Sequence, residues 1–233
     1  MDIDSERIEN AARHTEILRH PRQHLATFGI TNIYYYLVTE PVYSEITGGA
    51  DETVIREGRV IAERPKIVTP YYLTHLEGFS YDARRYFETL LRIHGAGTPG
   101  IFYTYKNEPK GLNIVSENWL AVVDRLNTDI DKKGDPLMSI IKGQDDLWDV
   151  SLLKFIYEIS TRSAPDNIAQ FGRRGLLGMS HGGIPVGARQ DIEEMFERVA
   201  RGEIKAIELE RELHRWGAFE EYQDRFFALV RGK

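Results

Sequence analysis

The chain has 233 residues, 42% hydrophobic and 28% charged, with 10 Phe, 12 Tyr and 3 Trp, which is core-forming composition and not that of a disordered segment. It has no cysteine, which excludes disulfides, cysteine-ligated zinc, iron–sulfur clusters and a thiol nucleophile. Its net charge of −6 opposes the basic field of a nucleic-acid binder, and it has no run of about 18 apolar residues to span a membrane.

The first element is a helix predicted over 5–19, with a thin apolar stripe of Ile8, Ala11, Ala12, Ile17 and Leu18. Pro21 suits the first turn of a second short helix that Gly29 ends. Over 31–43 the period changes to two. Ile33, Tyr35 and Leu37 share one face and Tyr34, Tyr36 and Val38 the other, the pattern of a strand covered on both sides. Two hairpins follow. One joins 53–56 to 59–64 at Glu57-Gly58; the other joins 101–106 to 112–116 through the turn-rich Asn107-Glu108-Pro109-Lys110-Gly111. Lys66–Thr69 is expected to extend the sheet as an edge, and a helix is expected over 81–94.

Ser116 is the expected N-cap of a helix bearing Trp119, Val122, Val123, Leu126 and Ile130, closed by Lys132, Lys133 and Gly134. Asp135-Pro136 is read as an immediate helix restart. A deeply buried helix over 145–162 places Trp148, Leu152, Phe155 and Ile159 in the core, and Pro165 starts another short one. Residues 171–187 hold six glycines and read as a long loop, followed by three short helices stopped by Gly202 and Gly217.

Hairpins rather than β-α-β alternation predict an α+β fold. Its antiparallel sheet is built from hairpins with packed helices and followed by a C-terminal helical segment. The expected division is a body over 1–171, a glycine-rich loop over 172–187 and a helical appendage over 188–233, all of which also fit one domain. The start of the chain is acidic and lacks the basic, then apolar, pattern of a signal peptide, so the expected address is the cytoplasm.

Chemistry has few places to sit. Four arginines and one acid fall between 162 and 189, and helix starts offer free N–H groups to anions. Arg173, Arg174, Ser180, His181 and Arg189 are therefore the candidate anion-binding residues. Neither a phosphate-loop pattern nor a strand leading into G-x-G-x-x-G is present, so a flexible crossing loop is the competing reading. Asp145, Asp146 and Asp149 could hold a divalent metal or work as acid and base, but the helix dipole alone also favours acids there. Ser180-His181 lacks the elbow of a catalytic triad. His14, His20 and His24 sit among arginines and read as a solvated surface. The run Tyr34-Tyr35-Tyr36, with Tyr103 and Tyr105, lines either a pocket or the sheet core.

The expectation is a non-catalytic cytoplasmic protein that binds a partner or a small ligand and calls for no cofactor. The alternative is an enzyme or sensor for an anionic, phosphorylated small molecule, held by the glycine-rich loop and the Asp145/Asp146 region. The apolar stripes of the last 45 residues predict a homodimer unless the chain's own sheet covers them.

Overall fold

The computed structural model describes residues 3–41, 52–69, 71, 72, 75 and 99–231. In chain order its elements are α1 (Ile3–His14), β1 (Glu16–Arg19), β2 (Thr31–Glu40), β3 (Thr53–Ala62), β4 (Lys66–Val68), β5 (Gly100–Phe102), β6 (Tyr105–Val115), α2 (Trp119–Lys133), β7 (Met138–Gln144), α3 (Trp148–Arg173), α4 (Val186–Ala200), α5 (Ala206–Arg215) and α6 (Phe219–Arg231). The chain forms two units, Met1–Arg64 with Tyr103–Asn167, and Pro65–Phe102 with Ile168–Lys233. Each draws on two stretches of chain. The fold is mixed α+β.

The first unit holds a five-stranded sheet in the order β1-β7-β2-β3-β6. All neighbours pair antiparallel except β2 and β7, which run parallel from Tyr34↔Met138 to Glu40↔Gln144. The two faces of β2 work as its period implies. Ile33, Tyr35 and Leu37 pack in a core with Leu152, Phe155 and Ile159 of α3; Val38, Tyr34 and Tyr36 pack in a second core with Val122, Val123, Leu126 and Ile130 of α2. Trp148, expected to be fully buried, is only half-buried.

Several expectations are corrected, each for a physical reason. The expected N-terminal helix stops at His14. Ile17 and Leu18 then pack into opposite cores, which is the alternation of a strand, β1. No helix forms over 21–30. Asp135-Pro136 does not restart a helix. Asp135 Oδ1 accepts a hydrogen bond from the Leu137 amide, and Met138, Ser139, Ile140 and Ile141 are all buried in β7. A short apolar run without alternation is what a central parallel strand requires. Asn118, not Ser116, caps α2 by accepting from the Leu120 amide, while Gly134 at φ 67° closes it.

Neither predicted hairpin turn exists. Glu57-Gly58 lies inside β3 and Asn107–Gly111 inside β6. Gly58 is needed because Tyr35 crosses it, and a Cβ there would strike the phenol ring. β6 is an edge strand, and Lys110 is the extra residue of a bulge, since Glu57 opposes Gly111 while Gly58 opposes Pro109. A proline, a lysine and a bulge are devices that keep an exposed edge from pairing, and here they mimic a turn signature. β4 does not extend this sheet; it pairs with β5 in a separate two-stranded sheet of the second unit. The helix expected over 81–94 lies outside the described residues.

Pro165 sits inside the 26-residue α3 instead of starting a new helix. The glycine-rich segment is shorter than expected and is ordered by its own backbone. Met179 bridges Pro185, and the Ser180, Val186 and Gly187 amides donate to Ile184, Gly178 and Leu176 carbonyls. The helices α4, α5 and α6 then form the second unit's core with Val68 and Tyr72, burying Ile192, Phe196, Leu209, Leu213, Trp216 and Phe226. The apolar stripes that suggested a dimer are largely spent in this core, with Phe227 and Val230 left exposed. Glu212 is buried there, and both of its oxygens accept from the Tyr72 hydroxyl, at 3.1 and 3.0 Å. Burial, and then the Glu212 carboxylate, push the Tyr72 phenol well above its ordinary pKa. Among the described residues, no helix is long and apolar enough to cross a membrane.

Candidate functional site

The parallel pair β2 and β7 ends on one side of the first unit's sheet, and the chain leaving β7 enters α3 through Asp145-Asp146-Leu147. Carboxyl ends of parallel strands, followed by a helix start, are where open α/β sheets form ligand crevices. A cavity of about 520 Å³ lies here. Its walls are Arg7, Asn10 and His14 of α1, Glu16 at the start of β1, Glu40 and Pro41 at the end of β2, and Lys142 to Leu147.

The α1 wall is fixed by polar contacts to α3. Thr15, buried, donates to the Ala11 carbonyl at 2.8 Å and shares a 2.7 Å hydrogen bond with Ser151 of α3. Lys154 Nζ donates to the Ala12 and Thr15 carbonyls at 3.0 and 2.8 Å, satisfying acceptors at the end of α1. Gly143 lets β7 come close, because a Cβ there would collide with Ser151.

At the inner end of the cavity stands an ion pair. Arg56 Nη1 donates to Asp145 Oδ1 at 2.7 Å and to Thr39 Oγ1 at 3.0 Å, while the Thr39 hydroxyl donates to the same Asp145 oxygen at 2.7 Å. Thr39 is fully buried, and the two charged side chains are 16% and 20% exposed. The pair uses one oxygen of Asp145, and Oδ2 accepts no hydrogen bond among the described residues. The Arg56 guanidinium also lies 5.6 Å from the Trp148 ring, which explains why that tryptophan is not sealed in the core.

The rest of the cleft is polar and acidic. Arg7 pairs with Asp146 at 3.1 Å, and Lys142 with Glu40 at 3.7 Å while its ammonium sits 3.6 Å over the Trp119 ring. Glu16 has no ion pair among the described residues. Four carboxylates and two fixed cations thus line the cleft, and a third cation, Arg56, pairs with Asp145 at its inner end, which leaves one carboxylate in excess. His14 Nδ1 lies 2.8 Å from the Asn10 carbonyl, which makes Nδ1 the donor of that bond.

The residues singled out in the sequence are distributed differently. Asp145 and Asp146 line this cleft, but Asp149 instead accepts from the Val150 amide. Among the described residues, no group of three or more His, Cys, Asp or Glu is placed to hold a metal ion. Arg189, in the second unit, is heavily engaged: it donates to Glu221, to Ser180 Oγ, to the His181 carbonyl and to the Tyr222 hydroxyl. Those bonds hold its guanidinium above the usual range and the Glu221 carboxyl below its own. Arg173 falls in the last turn of α3, where a cation complements the helix dipole, and Arg174 follows it. The Val186 and Gly187 amides at the start of α4 are spent on loop carbonyls rather than facing an anion. Of the histidines, His20 lies by Tyr157 and Arg162, where burial and then Arg162 lower its pKa. His24 meets Asp166 at 2.6 Å.

Arg7, His14, Glu16, Glu40, Lys142 and Arg56 were not singled out together by sequence. They come from five elements: the parallel pairing of β2 with β7 sets Glu40 near Lys142, the antiparallel pairing of β1 with β7 sets Glu16 opposite Lys142, and that of β2 with β3 sets Arg56 opposite Leu37. The chain matches no protein-family model, no curated protein and no solved structure.

Proposed function

We propose that this is a binding protein for a small polar ligand that carries an amine, taken into the cleft at the carboxyl ends of β2 and β7. The carrying observation is the excess of carboxylates there, with Asp145 Oδ2 and Glu16 accepting from no partner among the described residues. An amine or guanidine donates to such oxygens and gains from the local negative charge, whereas a phosphate or carboxylate is repelled by them. Asp145 is held in place by Arg56 and Thr39, so it is pre-organised as an acceptor. The cavity of about 520 Å³ suits a metabolite-sized molecule. The working location consistent with the cysteine-free sequence is the cytoplasm.

Thermal melts with agmatine, putrescine, malonate and inorganic phosphate test this reading. A ligand at 100 times its dissociation constant adds about 2.7 kcal/mol of stability. Stabilisation by the amines, lost in Glu40→Gln and Glu16→Gln, is the expected outcome. Stabilisation by malonate or phosphate alone overturns the reading and favours the anion-binding alternative.

A further inference from the structure

From the other side of the Arg56–Asp145 pair, we infer a second binding site, a groove that takes a flat aromatic carboxylate. This groove, of about 460 Å³, is lined among others by Tyr35, Arg56, Pro109, Lys110, Leu112 and Trp148. It is separate from the polar cleft, and the inference does not depend on what that cleft binds.

The first observation is the state of Arg56. Among the described residues only its Nη1 donates to the protein, and Nε and Nη2 donate to nothing. Neither of these atoms is among the buried unpartnered ones of the described residues, and Arg56 lines the groove. Nε and Nη2 form one edge of the guanidinium fork, whose two parallel N–H bonds match the two oxygens of a carboxylate. The opposite side of the group is anchored to Asp145 and Thr39, so the free edge is presented in one orientation.

The second observation is the apolar wall. Leu112 is 55% exposed on the edge strand, although its register partner Arg56 is mostly covered. Trp148 is half-buried with the guanidinium at its ring, and Pro109 stands at the bulge that opens this edge of the sheet. A planar ring laid against Trp148 and Leu112 places a carboxylate within reach of the free Arg56 edge. The third observation is Lys110, which has no carboxylate partner among the described residues; its ammonium lies 4.7 Å over the Tyr34 ring. That ring faces the opposite side of the sheet from Tyr35 and Trp148, and Glu57 also lines the groove, so the positive charge that receives the carboxylate is that of Arg56.

The test uses the full chain and three small probes: benzoate, its neutral isostere benzamide, and cyclohexanecarboxylate. Binding is followed by the Arg56 Nε–H and Trp148 indole N–H resonances in nitrogen-15 spectra. Benzoate is expected to shift both resonances with a dissociation constant of about 1 mM, the scale of a ligand this small. Benzamide should bind at least about tenfold weaker, a factor worth one hydrogen-bonded charge pair. Arg56→Gln should abolish the benzoate response. Should that variant fail to fold, Leu112→Asp, an exposed change that sets a like charge at the groove, should weaken benzoate about tenfold while leaving the fold intact. Glu16→Gln and Glu40→Gln, in the polar cleft, should leave benzoate binding unchanged, which separates a failure here from a failure of the amine reading. Equal binding of benzoate and benzamide, no shift at Arg56 Nε–H, or an unaltered Leu112→Asp variant overturns the inference. Tighter binding of cyclohexanecarboxylate than of benzoate overturns the aromatic preference.

Discussion

The Arg56–Asp145 pair divides the two cavities, and removing Asp145 is the sharpest perturbation of that arrangement. In Asp145→Ala the Thr39 hydroxyl, on a fully buried residue, loses its acceptor, and Arg56 keeps only Thr39. An orphaned buried hydroxyl costs about 1–3 kcal/mol, and breaking a fully buried ion pair costs about 3–5 kcal/mol. Both costs arise from the same lost carboxylate and so overlap, and at 16% and 20% exposure the pair is partly hydrated, so a total loss of about 2–4 kcal/mol, below their sum, is expected. Arg56→Met alone should also destabilise, because it leaves Asp145 charged and half-enclosed. The double variant should lose less than the sum of the singles, with a coupling of about 1–3 kcal/mol. Urea unfolding followed by far-ultraviolet circular dichroism measures this, provided the slope with urea is the same in all four proteins. The coupling should persist in added salt, because a largely enclosed pair is screened less than a surface one. A coupling under about 0.3 kcal/mol, the ordinary scatter of additivity, would show that the pair is an incidental surface contact.

Phe155→Ala should cost about 3–5 kcal/mol in urea melts, since the ring is 0% exposed between Ile33, Tyr35 and Leu152. Gly58→Ala should cost about 1–3 kcal/mol and alter the ultraviolet signal of Tyr35, whose ring occupies the space of the new methyl group. Tyr72→Phe should lower stability by about 1–3 kcal/mol by taking the hydroxyl donor from buried Glu212. The Glu108 carboxyl is held down to about 2 by hydrogen bonds from Arg59 and Lys106. A lowered native pKa means that its contribution is full above the ordinary carboxyl value near 4.5 and is lost as pH falls toward about 2. A carbon-13 titration of Glu108 should show that low midpoint, and Arg59→Ala should return it toward the ordinary range.

What could be read from the sequence were the periodic elements with buried faces. The two faces of β2, the stripe of α2 and the C-terminal helices with their stops at Gly202 and Gly217 are all set by local pattern. Local pattern failed where one residue type serves two structures. Asn107–Gly111 and Glu57-Gly58 carry turn chemistry, yet the same proline, glycines and lysine also suit a bulged edge strand and a close crossing by Tyr35. Met138–Ile141 is too short to show a period, so Asp135-Pro136 decided its reading wrongly. The cleft was only partly legible. Asp145 and Asp146 stood out as an acidic pair, but Glu40 and Lys142 join them through a parallel pairing of strands about 100 residues apart, and Glu16 through the antiparallel pairing of β1 with β7, neither of which any local signal encodes.

The central claim is that the carboxyl ends of β2 and β7 form the ligand site. Backbone amide shifts recorded while the full chain is titrated with agmatine test it most directly. The largest shifts should fall at Asn10, Glu16, Gly143, Gln144 and Asp145, and should vanish in Glu40→Gln with Glu16→Gln. Shifts confined to residues 172–189, or no shift anywhere at about 10 mM agmatine, a concentration above that which any specific site of millimolar affinity needs, would contradict it.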